Sequence, residues 1–201
     1  MRIIGITGPT GAGKSLLSEY LREKGIPVID ADEVYHSLLV PPSPCLDALR
    51  GAFGDGIFSE GGELDRRALA DIVFHDGEKL ELLNRTVLGF VLDKARETFR
   101  QYEKEGYAVA AVDAPTLIES GFFDECDTVV SVLCDPKMRT ERIIDRDGLS
   151  PDAAEARVKG QKPDSFYVEG SDIVLTNDGS RESFFDKCDE LARTLAKGDG
   201  E

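Results

Sequence analysis

An α/β fold, a mostly parallel sheet of five strands covered by helices, follows from three features of the sequence. Short apolar runs alternate with helical patterns or turns along most of the chain. A glycine-rich run stands where the first of these strands should turn into the first helix. Between the second and third strands the apolar spacing is helical throughout, which predicts a helical insertion there.

Arg2 to Thr7 (RIIGIT) is apolar and rich in Ile, the signature of a buried strand. Leu16, Leu17, Tyr20 and Leu21 then recur at helical spacing, and Gly25 supplies a stop. Ile26 to Ile29 makes the second strand and ends in Asp30-Ala31-Asp32-Glu33. Val34, Leu38 and Leu39 open another helix, broken at Pro41-Pro42. From Cys45 to about Gly106, Leu46, Leu49 and Phe53, then Leu69, Ile72 and Val73, then Leu80, Leu83, Val87 and Phe90 fall at helical intervals. A turn at Gly54, Gly56, Gly61 and Gly62 interrupts them. Strand character returns at Tyr107 to Val112, Thr128 to Leu133 and Asp172 to Thr176. The charge-rich stretch from Arg139 to Lys162 reads as two helices joined near Gly148, and Lys197 to Glu201 as a frayed tail.

At 201 residues, 41% hydrophobic and 31% charged, the chain suits one globular domain with a full core. Its net charge of -15 argues against nucleic-acid binding, because phosphate backbones are held by clustered Lys and Arg. No apolar run approaches the ~20 residues of a membrane span, and Met1 leads straight into a strand. A cytoplasmic location is expected. Cys45, Cys126, Cys134 and Cys188 form no CxxC pair, and with His36 and His75 they give no zinc spacing, so they read as reduced thiols. The sequence leaves the oligomeric state open, and a monomer is compatible with it.

Chemistry concentrates in Gly8-Pro9-Thr10-Gly11-Ala12-Gly13-Lys14-Ser15, which meets the pattern G-x-x-x-x-G-K-[ST]. Glycines let backbone N–H groups curl inward as an anion nest at a helix N-terminus. In this pattern Lys14 reaches the β- and γ-phosphates, and the Ser15 hydroxyl ligates Mg²⁺. Asp113 follows a strand but is itself followed by Ala114, so the carboxylate that activates water in many ATPases is missing, and no N-K-x-D guanine-reading element occurs. Phosphoryl transfer to a small acceptor remains, a reaction that asks the protein to position two substrates and neutralise charge.

Such a kinase needs a base, cations and a lid. Asp32 stands just past the second strand, at the sheet edge where ligands bind, where it can orient or deprotonate a hydroxyl. Asp30, with Glu33 three residues on, fits a capping box instead. Arg139, Arg142 and Arg146, spaced three and four apart, share a helix face that can cover phosphates. Arg66 and Arg67 begin a helix, where the dipole disfavours a cation and a ligand or carboxylate would explain them. Asn177-Asp178-Gly179 reads first as a turn and second as a base contact.

Together these pieces resemble the dephospho-coenzyme A kinase family. The resemblance runs from Ile6-Thr7-Gly8 and the loop through Val28-Ile29-Asp30-Ala31-Asp32-Glu33 and Gly62-Glu63-Leu64-Asp65-Arg66, then Asp113-Ala114-Pro115, Arg142, Arg146-Asp147, Gln161, Asp172 and Asn177. The chain departs from the family's usual pattern at Leu88-Gly89, where His-Pro is common, and at Tyr167-Val168, where basic residues are. The resemblance implies a P-loop kinase fold and transfer of the ATP γ-phosphate to the ribose 3′-hydroxyl of dephospho-coenzyme A, with Mg²⁺. It implies Lys14, Asp32 and Arg142 as catalytic residues, and Gly8, Gly11, Ala12, Gly13, Lys14, Ser15, Leu16, Arg146 and Asn177 as the ATP site. Asp32 and Arg66 fall on the acceptor side, and Ser15 on the metal. The single domain then divides into a nucleotide core, about 1–32 and 107–201, a substrate-binding insertion, about 33–106, and a lid, about 139–165. Two other readings stand beside this one: a kinase of another alcohol or nucleoside, and a catalytically weak ATP-binding regulator.

Overall fold

A strand in the middle of a sheet needs cover on both faces, and side chains that alternate along it decide what each cover is. The computed structural model describes residues 1–197. Five strands, β1 (Arg2–Thr7), β2 (Val28–Asp30), β3 (Val109–Asp113), β4 (Thr128–Leu133) and β5 (Ile173–Thr176), form one sheet in the order β2-β3-β1-β4-β5. β1 pairs in parallel with β3 and β4, and β4 in parallel with β5. Ile4 and Ile6 of β1 join a core with Leu17 and Leu21 of α1 (Lys14–Glu23) and Phe184, Cys188 and Leu195 of α9 (Arg181–Lys197). Gly5 points to the other face, where a Cβ would lie 2.5 Å from the Leu117 side chain. β4 repeats the alternation: Val130 and Val132 share the first core. Ser131 lies opposite, its hydroxyl bonded to that of Ser171 at 2.5 Å.

The strand order fixes where a ligand can bind. The chain leaves β1 for β2 on one side of the sheet and leaves β4 for β5 on the other, so the connections part beyond the C-terminal ends of β1 and β4. That parting opens a crevice at the switch point. The glycine-rich loop emerges there.

The chain divides into two units, one combining Met1–Ile29 with the chain from Gln101 on, the other spanning Asp30–Arg100. The first also carries α6 (Pro136–Asp147), α7 (Pro151–Lys159) and α8 (Asp164–Glu169). The second is helical, from α2 (Ala31–Leu38), α3 (Pro44–Phe53) and α4 (Arg66–Val73) to the long α5 (Gly77–Lys104), whose last residues enter the first unit. It has its own core around Leu46, Leu49, Ile57, Leu69, Val73 and Val87.

Three strands start later than the apolar runs suggest: two because a backbone amide closes a turn, and the third because a side chain joins the strand pairing. The Ile26 amide closes onto the Leu21 carbonyl at 2.9 Å, so β2 begins at Val28 and extends to Asp30. The Tyr107 amide closes the turn after α5 onto Tyr102 at 3.1 Å, leaving β3 to start at Val109. Asp172 uses its carboxylate on the Val129 amide at 2.7 Å, and β5 starts at Ile173. Lys197 is the last residue of α9 rather than part of a tail. The remainder of that expected tail, 198–201, lies outside the described residues. Among the described residues no helix is long and apolar enough to cross a membrane, and the four cysteines are free thiols.

Candidate active site

The loop after β1 requires glycine for two reasons at once. Gly8, Gly11 and Gly13 have φ of 135°, 78° and 107°, a region that side chains disfavour. Each also has a close neighbour: an added Cβ would lie 2.2 Å from the Val132 carbonyl oxygen at Gly8, 2.9 Å from that of Arg139 at Gly11, and 2.3 Å from Asn177 Nδ2 at Gly13. The Lys14 ammonium donates to the Gly8 carbonyl at 2.8 Å, folded back along the loop.

The start of α1 differs from the other long helices. Asp30, Ser43, Asp65, Asp76, Asp135 and Ser150 accept backbone amides at the beginnings of α2 to α7. Gly13, at the same place before α1, has no side chain to do so. Amides at this end, together with the helix dipole, favour an anion. Ser15, the second residue of α1, is exposed.

Two residues distant in the chain, Asn177 and Arg142, bond to the carbonyls of this loop. Asn177, buried after β5, donates its side-chain amide to the Ala12 carbonyl at 2.8 Å. Arg142 of α6 sends Nη1 to the carbonyls of Gly11 and Ala12, both at 3.3 Å, and to Cys134 Sγ at 3.2 Å, while Nη2 reaches the Asn177 carbonyl at 3.0 Å. Burial pushes the Cys134 thiol up to about 11, against the opposing Arg142 charge, so the sulfur stays a neutral contact. Gly13, Leu16, Glu19, Arg142, Asn177 and Arg181 line a cavity of about 420 Å³ beside the loop, a volume suited to a small-molecule ligand.

The expected arginine face does not act as a unit. Of its three members only Arg142 lines the cavity. Arg139 is 3% exposed and its Nε donates to the Thr10 carbonyl at 3.0 Å. Arg146 is exposed and forms a fork with Asp147, at 2.7 and 3.0 Å, which Arg157 joins at 2.7 Å. The two guanidiniums, Arg146 first, hold the Asp147 carboxyl below its ordinary value. Helical spacing set a shared direction, but the neighbouring carboxylate and loop carbonyls decided where each guanidinium went.

Asp113, buried at the end of β3, accepts the Ser18 hydroxyl at 2.8 Å. Among the described residues no three His, Cys, Asp or Glu side chains gather to hold a metal ion. An exposed Ser15 at an uncapped helix start fits Mg²⁺ all the same, because that ion takes one or two protein ligands and completes its shell with phosphate oxygens and water.

In the second unit the two aspartates of the DAD run separate as their positions suggest. Asp30 Oδ1 takes the amides of Asp32 at 2.8 Å and Glu33 at 3.1 Å, so Asp30 caps α2. Asp32 is left exposed in the first turn. Arg66 opens α4 directly after its cap, Asp65, and places Nη2 3.3 Å from His36 Nδ1. His36 lies four residues after Asp32 and therefore on the same face of α2. Its spacing from Asp32 was the one sign of this in the sequence.

Comparison with known proteins bears on the whole chain. The family described as CoaE, dephospho-CoA kinase, matches residues 2–183. A dephospho-CoA kinase of Shouchella clausii is 34% identical over 192 residues, 95% of this chain and 98% of that protein. One of Symbiobacterium thermophilum is 36% identical over 200 residues, covering 100% of this chain and 84% of that protein. Among solved structures, dephospho-CoA kinase from Campylobacter jejuni superposes with a TM-score of 0.73 at 25% identity, covering 100% of both chains. A shikimate kinase from Acinetobacter baumannii, 17% identical over 100% of this chain and 96% of its own, shares the fold with a TM-score of 0.57. With a phosphate loop at the sheet's switch point and this likeness running nearly end to end, the chain belongs to the dephospho-CoA kinase family.

Proposed function

We propose that the protein transfers the γ-phosphate of ATP to the ribose 3′-hydroxyl of dephospho-coenzyme A, giving coenzyme A and ADP in the cytoplasm. The observation that carries the reading is the glycine-built loop at the switch point, in a chain that matches dephospho-CoA kinases over residues 2–183. The loop amides at the uncapped start of α1 bind the β- and γ-phosphates, and Lys14 leaves its resting place on the Gly8 carbonyl for the phosphate oxygens. Ser15 would hold Mg²⁺, which would supply charge neutralisation there. Arg142 and Asn177, on the cavity wall with Leu16, hold the nucleotide, and Arg146 exchanges Asp147 for it when the lid closes. On the acceptor side, Asp32 takes the hydroxyl proton as the new O–P bond forms and the bond to ADP breaks. Arg66 orients the acceptor.

The test is direct. Purified protein incubated with ATP, Mg²⁺ and dephospho-coenzyme A should release ADP and form coenzyme A in equal amounts, and only when the acceptor is present. Absence of acceptor-dependent ADP would overturn the reading, and turnover of another alcohol in its place would reassign the acceptor.

A further inference from the structure

The backbone of one loop residue, Thr10, is gripped on both sides by residues far away in sequence. Arg139 Nε donates to its carbonyl at 3.0 Å, and Gln161 Oε1 accepts its amide at 3.1 Å. The next residue is pressed against the same helix: a Cβ at Gly11 would lie 2.9 Å from the Arg139 carbonyl oxygen and 3.2 Å from its Cα.

Arg139 is an unusual residue to find here. Its side chain is almost wholly buried, and its buried Nη2 has no hydrogen-bond partner. The carboxylate of Asp164, itself half exposed, stands 3.9 Å from Nη1, a long ion pair. Burial makes the guanidinium easier to deprotonate, with Asp164 opposing. A buried cation balanced this loosely is costly. A neutral side chain could fill the same space without that cost.

What the position offers in return is location. The charge lies against a loop shaped for a polyanion, and the hydrogen bond sets the plane of the peptide that joins Thr10 to Gly11. We propose that Arg139 is a positioning residue of the phosphate loop: with Gln161 it fixes the two peptide groups of Thr10, and it adds a permanent positive field behind the loop without touching the substrate. The curvature that turns the following amides toward the triphosphate is then set before ATP arrives, which lowers the ordering cost of binding. Gln161, just beyond α7, and Asp164, at the start of α8, bring that stretch of chain into the same clamp.

This inference rests on the ATP-dependent activity but not on the acceptor, so its first measurement is ATP affinity by calorimetry with no acceptor present. Wild-type protein that binds no ATP would defeat the activity itself. Given wild-type binding, Arg139→Met should weaken ATP about tenfold or more. At saturating ATP the KM for dephospho-coenzyme A should remain within about twofold of wild type. Arg139→Lys, which keeps the charge and one donor, should recover most of the loss. Gln161→Ala changes no charge and removes the acceptor of the Thr10 amide; it should weaken ATP severalfold while moving Tm little. Should Arg139→Met not fold, the Arg139→Lys and Gln161→Ala proteins decide the matter. Unchanged ATP affinity in Gln161→Ala, or in an Arg139→Met protein that loses only thermal stability, would make Arg139 a packing residue and overturn the proposal.

Discussion

Asn177 and Ala12, 165 residues apart in the chain, meet through a 2.8 Å hydrogen bond from the side-chain amide of one to the carbonyl of the other. Both residues are buried, so the carbonyl has no water to turn to. Asn177→Ala should therefore cost about 1–3 kcal/mol of stability and weaken ATP binding in step. Asn177→Asp, nearly identical in shape, should be worse than Ala, because it aims a carboxylate oxygen at a carbonyl oxygen. Denaturant unfolding and calorimetry of the two proteins check both the size and the order; Asp milder than Ala would refute the contact.

Gly13 and Gly25 both have positive φ, at 107° and 81°, but only Gly13 is crowded. Gly25→Ala should cost about 1–2 kcal/mol, the price of a left-handed alanine. Gly13→Ala adds a clash with the Asn177 amide at 2.3 Å, so it should cost more and reduce ATP affinity as well. Equal losses of stability in the two variants, with ATP binding intact, would show that the crowding is relieved without consequence.

Asp30 and Asp32 are two residues apart and should fail differently. Asp30→Ala removes the cap of α2 and should lower stability by about 1 kcal/mol. Asp32→Asn should leave stability nearly unchanged and ATP affinity intact while reducing kcat by about 10²–10⁴. Steady-state kinetics beside unfolding curves separate these effects, and normal turnover by the Asp32→Asn protein would remove Asp32 from the chemistry.

Asp189 of α9 accepts from the Tyr20 hydroxyl and from Lys24 at 2.9 Å and Arg193 at 2.7 Å. The Tyr20 and Lys24 hydrogen bonds hold its carboxyl down to about 2. The folded carboxyl thus releases its proton more readily than the unfolded one, near 3.9. Its contribution to stability is complete above the unfolded value and drains away as pH falls toward about 2. The stability gap between wild type and Asp189→Asn, from urea unfolding at several pH values, should narrow over that acid window. A gap that widens there would reverse the assigned sign.

Local features of this chain were legible, and nonlocal ones were not. β1 and the phosphate loop could be read because an apolar run and a contiguous glycine pattern carry their own geometry. β4 matched its apolar run residue for residue. Asp30 and Asp32 could be sorted because capping acts within three residues. Six-residue α8 is too short to show a period. The burial of Arg139 was hidden for a different reason: a charged residue on a charged helix reads as solvated, and the groups it meets, the Thr10 carbonyl and the Asp164 carboxylate, come from other parts of the chain. Asn177 looked like a turn residue because its partner, Ala12, lies at the other end of the sequence.

The bare first turn of α1, with Gly13 where Asp or Ser begins other helices, also bears on how the protein survives between turnovers. On the proposed function, a triphosphate seated there would be a temporary piece of secondary structure, closing a helix that the chain itself leaves unfinished. Nucleotide concentration and folding are then linked quantities, with ligand adding stability in proportion to RT ln(1 + [L]/Kd). Energy-starved conditions would remove a substrate and loosen the enzyme together.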